Sequence, residues 1–301
     1  MYLEHFGLRE PPFTLTPDTG FFYGAASHRE ALDVLCVALE SGEGFIKVTG
    51  EVGTGKTLIC RKLLTQLDAT HVTAYIPDPS LTPAALRMAL AEELGIRFAR
   101  NIGQHRLLGL IGERLIELAA ENRPVVLLLD EAQAMPTETL EALRLLTNLE
   151  TEKRKLLQVV LFGQPELDAR LARPNLRQLR QRIAFSYRLQ NLDRKAVADY
   201  VEHRLRIAGC TRPALFQGRA LRLLYRASRG TPRLVNLICH KALMAAWGAG
   251  LEQVGVRQLR LAVRDTEDVR HKPRSRRLAL ASGLAGLLAL TSAGLLYAWG
   301  P

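Results

Sequence analysis

Cysteine and histidine are scarce in this sequence, and their scarcity excludes several classes of protein. Four cysteines and seven histidines occur in 301 residues, and the cysteines form no C-x-x-C pair. We therefore expect neither a structural zinc site nor a small secreted domain stapled by disulfides. The first ten residues also lack the basic region and apolar run of a signal peptide. These absences favour a reduced, cytoplasmic fold that is stabilised by an ordinary apolar core.

Net positive charge is confined to the second half of the chain. Residues 1–150 carry 13 basic and 20 acidic side chains, whereas residues 151–301 carry 28 and 10. Ten of the basic residues form two groups, an arginine series within residues 170–182 and a collar at residues 270–277. We expect a bound phosphate and a membrane surface, rather than nucleic acid, to account for these groups. A content of 48% hydrophobic and 24% charged residues also excludes a disordered chain.

A long uncharged run follows the basic collar. Leu278 to Trp299 contains 22 residues without a charge, which as a helix would extend about 33 Å across a hydrocarbon core of about 30 Å. Tyr297 and Trp299 at its far end suit the membrane interface. We predict a single transmembrane helix at 278–299 whose preceding residues are cytoplasmic. The alternative, a buried C-terminal helix of a soluble protein, fits less well because the run has no polar face.

Strand-like and helix-like segments alternate as far as residue 190. Five apolar or β-branched runs have strand character: 45–49, 71–76, 125–129, 156–162 and 183–189. Segments with helical apolar spacing lie between them, at 83–94, 105–121 and 138–150. Such alternation predicts an α/β domain with a parallel sheet over residues 1–190.

After Asp193 the pattern becomes purely helical. Four segments have helical spacing: 194–208, 217–228, 233–249 and 256–263. We predict a small helical lid domain over residues 191–264 and a basic linker over 265–277. The sequence shows no internal repeat of the kind that builds solenoid proteins.

A glycine-rich phosphate-loop motif follows the first predicted strand. Its eight residues fit the pattern G-x-x-x-x-G-K-[ST] and are Gly50, Glu51, Val52, Gly53, Thr54, Gly55, Lys56 and Thr57. Glycines let backbone N–H groups surround phosphate oxygens, and the helix that follows adds its positive N-terminal end. We expect Lys56 to neutralise phosphate charge and the Thr57 hydroxyl to bind Mg²⁺. The alternative is a chance glycine-rich turn.

An acidic pair, Asp130 and Glu131, ends the apolar strand at 125–129. Carboxylates are costly beside a core unless a cation is near, so Asp130 is expected to hold Mg²⁺ and Glu131 to activate the attacking water. Gln164 follows the strand at 156–162 and would orient water or detect the γ-phosphate if the two strands are neighbours. The alternatives are a helix N-cap for the acidic pair and a plain turn residue for Gln164.

Arginines form the remaining candidates for the site. Within the arginine series, Arg180 and Arg182 precede the last predicted strand, where a neighbouring subunit could insert one of them toward a bound γ-phosphate. Arg233 follows Gly230-Thr231-Pro232 at the start of a lid helix and could reach the nucleotide. A solvated helix face and a surface arginine are the respective alternatives.

Together these motifs resemble those of AAA+ ATPases of the ExeA (general secretion pathway A) type. The resemblance also includes the opening Tyr2-Leu3-Glu4-His5-Phe6-Gly7-Leu8, the Pro11-Pro12-Phe13 run, Gly163 to Leu167 and Leu176 to Ile183. It implies a Walker A motif at Gly50–Thr57, a Walker B motif at Asp130 and Glu131, and sensor 1 near Gln164. It further implies an arginine finger at Arg180 or Arg182, sensor 2 at Arg233, ATP and Mg²⁺ as ligands, and a homo-oligomer.

The family resemblance also suggests where the protein works. Proteins of the ExeA type continue beyond their membrane helix into a peptidoglycan-binding domain, whereas this sequence ends at Pro301, shortly after the predicted membrane helix. The shorter architecture is similar to that of MshM, the branch associated with biogenesis of the MSHA type IV pilus. We therefore expect an ATPase in the bacterial inner membrane that contacts lipid and pilus or secretion components. The alternatives are a DNA-binding ATPase of the transposition-helper type and a nucleotide-dependent switch with little turnover.

Overall fold

The computed structural model describes residues 2–99, 101–150, 155–212 and 214–270, and the statements below concern those ranges. Within them, no helix is both long enough and apolar enough to cross a bilayer. The predicted membrane helix at 278–299 lies outside the described residues, as does most of the predicted linker at 265–277.

A five-stranded parallel sheet forms the centre of the first 190 residues. Its strands are β1 (Phe45–Thr49), β2 (Val72–Ile76), β3 (Val125–Leu129), β4 (Leu157–Gly163) and β5 (Ile183–Arg188). They are arranged in the order β2-β3-β4-β1-β5, and each pairs in parallel with its neighbours. All five predicted strands are confirmed. The order places β1 and β3 on either side of β4, so the loops that follow these three strands meet at one edge.

Helices connect the strands and form most of the chain after β5. Their bounds are α1 (Tyr2–Phe6), α2 (Ala26–Glu40), α3 (Lys56–Leu67), α4 (Pro83–Glu93), α5 (Gln104–Ala120), α6 (Thr137–Leu146), α7 (Glu166–Leu171), α8 (Arg177–Arg182), α9 (Arg194–Ile207), α10 (Gly218–Ser228), α11 (Pro232–Gly248), α12 (Val256–Arg264) and α13 (Glu267–Arg270). Residues of the last five helices, 194–270, are called the C-terminal helical unit below.

One predicted helix is too long, and several helices were not predicted. The segment 138–150 ends as α6 at Leu146, because Thr147 turns its hydroxyl back onto the carbonyl oxygen of Arg144 and closes the helix. The longest helix that was not predicted is α2, which buries Leu32, Leu35 and Leu39 at helical spacing. The remaining predicted helices are confirmed to within one residue at either end.

Two apolar layers cover the sheet because successive strand side chains point to opposite faces. On one face, Leu127 and Leu129 of β3 pack with residues of α4, α5 and α6. On the other face, Val126 and Leu128 pack with residues of α2 and α3. Strand β3 is buried along its whole length, as the unbroken apolar sequence predicts.

A third apolar cluster unites the two ends of the described chain. Phe6, Phe13 and Phe21 are buried among residues of α9 to α12 and not against the sheet. The first residues of the predicted domain 1–190 therefore share an apolar core with the C-terminal helical unit. The physical reason is that these aromatic rings supply the apolar surface on which the C-terminal helical unit packs.

Candidate functional site

The phosphate-loop motif occupies the connection between β1 and α3. Gly53 and Gly55 have φ values of 79° and 101°, in the left-handed region that favours glycine. Helix α3 begins at Lys56, so its unpaired N–H groups face the loop and create a site for an anion. Thr54 steadies the loop by donating its hydroxyl to the carbonyl oxygen of Glu51 at 2.8 Å.

Lys56 lies inside this loop with its ammonium group enclosed. Its Nζ donates to the carbonyl oxygens of Gly50 at 2.8 Å and Glu51 at 3.0 Å. Burial lowers the pKa of Lys56, and the carboxylates of Glu131 and Asp130 partly oppose that shift. Since carbonyl oxygens are weaker acceptors than phosphate oxygens, an incoming phosphate can replace them.

Asp130 and Thr57 are in direct contact across the end of the sheet. The Thr57 hydroxyl donates to Asp130 Oδ2 at 2.6 Å, and the N–H of Glu131 donates to Asp130 Oδ1 at 2.9 Å. Burial raises the pKa of Asp130, while these two hydrogen bonds lower it. A carboxylate beside a hydroxyl is an oxygen donor set that fits Mg²⁺ shared with a phosphate. Among the described residues there is no cluster of three or more His, Cys, Asp or Glu able to hold a metal without such help.

Glu131 is held by two glutamines at the mouth of the site. It has a φ of 50°, and its Oε2 accepts hydrogen bonds from Gln133 Nε2 and from Gln164 Nε2, the latter at 3.1 Å. The N–H of Gln164 in turn donates to Gln133 Oε1 at 2.9 Å. The neighbouring strands β3 and β4 therefore bring Glu131 and Gln164 together, whereas Gln133 was not identified from the sequence.

Arg170 stabilises the turn that contains Gln133. Its guanidinium donates to the carbonyl oxygens of Gln133 and Met135. The sequence placed Arg170 in the arginine series but indicated no role for it. Its contacts fix the turn after β3 that carries Glu131.

A cavity of about 330 Å³ opens beside the phosphate loop. Val52, Lys56, Thr57, Glu131 and Gln164 line one side. The other side comes from the N-terminal segment 14–18 and from five residues of the C-terminal helical unit, which are Tyr200, Arg204, Pro232, Arg233 and Asn236. The cavity is thus built from three separate parts of the chain.

A buried polar network joins two of those parts. Tyr200 donates its hydroxyl to Asn236 Oδ1 at 2.9 Å, and Asn236 Nδ2 donates to the carbonyl oxygen of Thr14 at 3.1 Å. Arg204 donates to Tyr200 Oη at 3.0 Å and to the carbonyl oxygen of Pro12, while its guanidinium lies over the ring of Phe21. The network ties the N-terminal segment to α9 and α11.

Arg233 meets the phosphate loop through its backbone. Its N–H donates to the carbonyl oxygen of Gly53 at 3.2 Å, and a Cβ on Gly53 would lie 2.6 Å from Arg233 Cβ. Helix α11 therefore begins directly on the loop, and the Arg233 side chain lines the cavity.

His28 contacts the loop from α2. Its Nε2 lies 2.9 Å from the carbonyl oxygen of Thr54, so in the Nε2–H tautomer the ring donates to the loop. Burial lowers the pKa of His28, and its Nδ1 is buried without a hydrogen-bond partner among the described residues. The sequence analysis missed this residue because it lies on a helix that was not predicted.

Arg180 and Arg182 lie away from this cavity. Arg182 donates to the carbonyl oxygen of Arg144 and to Thr147 Oγ1, both at 3.2 Å. It precedes β5, whose first residue pairs with Phe45 at the start of β1. The two arginines are therefore at the sheet edge opposite the phosphate loop and do not reach the site of their own chain.

Comparisons with known proteins agree with this geometry. The family model described as AAA domain matches residues 39–171. The chain is 45% identical over 270 residues to general secretion pathway protein A of Aeromonas hydrophila, a match that covers 90% of this chain and 49% of that protein. The chain thus spans about half the length of this curated relative.

Solved structures with the same fold come from more distant proteins. The Cdc6p structure from Pyrobaculum aerophilum has a TM-score of 0.64 at 20% identity and covers 86% of this chain and 75% of that one. The ORC2 protein of Aeropyrum pernix has a TM-score of 0.63 at 17% identity, with coverage of 85% and 70%. The RuvB Holliday junction branch migration motor of Thermotoga maritima has a TM-score of 0.56 at 14% identity, with coverage of 81% and 70%. Identities this low show the fold alone.

The 270 aligned residues far exceed the AAA domain match at residues 39–171. The similarity to the secretion-pathway relative therefore extends into the parts of the chain outside that match, which complete the cavity. The chain therefore matches the AAA domain over residues 39–171 and, over the half of that relative which it spans, is similar to the general secretion pathway A type.

Proposed function

We propose that this chain is a membrane-tethered cytoplasmic ATPase that hydrolyses ATP between subunits to support assembly of a type II secretion or type IV pilus machine. One observation carries the ATPase part of the proposal. A single cavity is lined by Lys56, Thr57 and the Glu131–Gln164 pair, and residues of the C-terminal helical unit form its far wall. Asp130 lies directly behind Thr57 and accepts a hydrogen bond from its hydroxyl.

Each polar group in the cavity has a chemical role in this proposal. The loop from Gly50 to Gly55 binds phosphate oxygens through its N–H groups, and Lys56 neutralises the β and γ phosphates. Thr57 and Asp130 would hold Mg²⁺, which supplies further neutralisation of phosphate charge when bound. Glu131 accepts a proton from the attacking water, because its carboxylate is oriented by Gln133 and Gln164.

The far wall of the cavity links ATP to movement. The C-terminal helical unit acts as a lid, and Arg233 at the start of α11 responds to the γ-phosphate. Arg180 or Arg182 reaches the site of a neighbouring subunit, which is consistent with their position at the opposite sheet edge. A homo-oligomer is needed for that contact.

The machine and the membrane tether have separate support. The relative's name, general secretion pathway protein A, suggests secretion components as partners, and the resemblance to MshM suggests a type IV pilus as the alternative machine. The uncharged run at 278–299, with the basic collar before it, supports a single-pass tether in the bacterial inner membrane.

Replacing Glu131 by Gln tests the proposed hydrolysis. We expect ATP turnover to fall by about 100-fold or more, because the amide cannot accept the water's proton, while nucleotide remains bound. Glu113→Gln is the matched control, since Glu113 is exposed on α5 and distant from the cavity lining. Turnover of the Glu131 variant at the control's level would remove the general-base role.

Purification of the full chain from membranes tests the assembly role. Recovery of identified pilus or secretion components with the chain, in amounts that depend on ATP, is the expected result. Recovery of duplex DNA alone, with binding that falls steeply as salt rises, would replace the proposal by the DNA-binding alternative.

A further inference from the structure

An eight-residue pattern occurs twice in the C-terminal helical unit. Residues 219–226 read R-A-L-R-L-L-Y-R and lie on α10, and residues 257–264 read R-Q-L-R-L-A-V-R and lie on α12. Arginines at the first, fourth and eighth positions fall on one face of each helix. The six arginines, called the arginine face below, are Arg219, Arg222, Arg226, Arg257, Arg260 and Arg264.

The fold aligns these two helices in register. Phe216 and Val254 form a parallel bridge, and α10 and α12 each begin two residues after it, at Gly218 and Val256. The helices pack against each other from that common start. Counted from that start, the arginines occupy the same positions on both helices, the second, fifth and ninth residues of each, over about 10 Å of helix rise.

The arginine face has no compensating negative charge of its own. All six side chains are exposed, and none forms a hydrogen bond or ion pair with another residue in the described ranges. Neither helix contains an Asp or Glu, and Asp265, directly after α12, is paired with Lys241 at 2.7 Å. Six like charges held together repel one another, so an anionic partner is favoured at this surface.

Exposed apolar side chains occur on α12 and on α11, the helix that packs against it. Leu261, between Arg260 and Arg264, is 50% exposed, and Trp247 and Met244 on the neighbouring helix α11 are 43% and 44% exposed. With Leu251, they make up four of the nine exposed large hydrophobic residues of the described chain. Basic residues together with Trp, Leu and Met are typical of surfaces that insert into the lipid interface. Binding to the phosphates of a DNA duplex, by contrast, would leave these apolar side chains without a partner.

We propose that the arginine face docks the C-terminal helical unit onto an anionic phospholipid bilayer, with Trp247 and Leu261 entering the interface. The occupant is the phosphate-bearing headgroup layer. Its proximity rests on the proposed tether, because Arg264 precedes the uncharged run by only 14 positions. The docking itself goes beyond tethering, since it fixes the orientation of the nucleotide-binding unit on the membrane.

Trp247 provides a direct probe of this contact. The chain has two tryptophans, Trp247 and Trp299, so Trp299→Phe leaves Trp247 as the only tryptophan. The full chain is reconstituted into vesicles of equal parts brominated phosphatidylcholine and phosphatidylglycerol. Bromine quenches tryptophan fluorescence only at close range, and we expect quenching at least about threefold stronger than in brominated phosphatidylcholine alone.

Charge reversal of the middle arginine pair completes the test. Arg222→Glu with Arg260→Glu should abolish the extra quenching, whereas Arg97→Glu with Arg106→Glu, two exposed arginines of the sheet-containing part, should leave it unchanged. Circular dichroism verifies that each variant folds. Equal quenching in both vesicle types would overturn the proposal. Binding of a duplex oligonucleotide that the charge reversal weakens, in a chain that shows no quenching by lipid, would also overturn it. So would a dimer that forms through this face and excludes the lipid.

Vesicle flotation in the same samples distinguishes this proposal from the tether. A chain that floats with both vesicle types but shows no difference in quenching is tethered without being docked. This result contradicts the docking proposal and leaves the tether in place. A chain that floats only with anionic vesicles, and shows quenching there, supports docking and contradicts the tether.

Discussion

Charged side chains occupy two contrasting settings in this protein. In the nucleotide cavity, Lys56 and Asp130 are 5% and 3% exposed, and each has two hydrogen-bond partners. On the arginine face, six arginines are exposed without a partner in the described ranges. Burying a charged group is costly unless its polar atoms have hydrogen-bond partners. The cavity is therefore organised before its ligand arrives. The arginine face instead depends on a partner from outside.

The contrast predicts that removing a buried charge will have the largest effect. Lys56→Ala should lower ATP turnover by about 100-fold or more, because it removes the cation inside the phosphate loop and leaves Asp130 and Glu131 uncompensated. Turnover and binding of a fluorescent ATP analogue measure the loss. Lys195→Ala, at an exposed site on α9, is the control. Equal activity of the two variants would show that the buried lysine is dispensable.

Two glycines extend the comparison from side chains to backbone. Gly230 and Gly250 both have positive φ values, 75° and 66°. A Cβ on Gly230 would lie 1.8 Å from the carbonyl oxygen of Leu192, whereas a Cβ on Gly250 would meet nothing within 4 Å. Gly230→Ala should therefore reduce the free energy of unfolding by about 3 kcal/mol or more, and Gly250→Ala by about 1 kcal/mol. Chemical denaturation measures both, and similar losses would contradict the close contact at Leu192.

His28 should give a smaller and pH-dependent effect. Its folded-state pKa is lowered by burial, so the unfolded chain binds a proton more readily than the folded chain does. The free energy of unfolding should fall as pH decreases below about 6.5, the pKa of an unfolded histidine, and reach a plateau above it. His28→Gln can still donate to Thr54 and should weaken this pH dependence, whereas His105→Gln, at an exposed position, should retain it. The two variants following the same pH curve would contradict the prediction.

Charge reversal on the arginine face should have the smallest effect on stability. Arg222→Glu with Arg260→Glu should change the free energy of unfolding in solution by less than about 1 kcal/mol, because neither exposed side chain has a partner among the described residues. Thermal denaturation in the absence of lipid measures this value. A loss of several kcal/mol would mean that the arginines stabilise the fold itself.

The sequence predicts the sheet and the motif residues well because their signals are local. The phosphate loop, the acidic pair and all five strands are each contained in fewer than ten consecutive residues. The network of Tyr200, Asn236 and Thr14 joins residues up to 222 positions apart, and no local pattern indicates such a contact. Gln133 and His28 were missed for related reasons. The first becomes important only because β3 and β4 are neighbours, and the second only because α2 packs on the loop.

Helix α11 has the dimensions of a lever arm. Its second residue is Arg233, whose N–H donates to the carbonyl oxygen of Gly53 in the phosphate loop, and Trp247 lies near its other end. Its 17 residues give a length of about 25 Å, so a tilt of about 10° at the loop would displace the far end by about 4 Å. A change of less than an ångström around a phosphate would thus become a movement comparable to the thickness of a side chain at the opposite end.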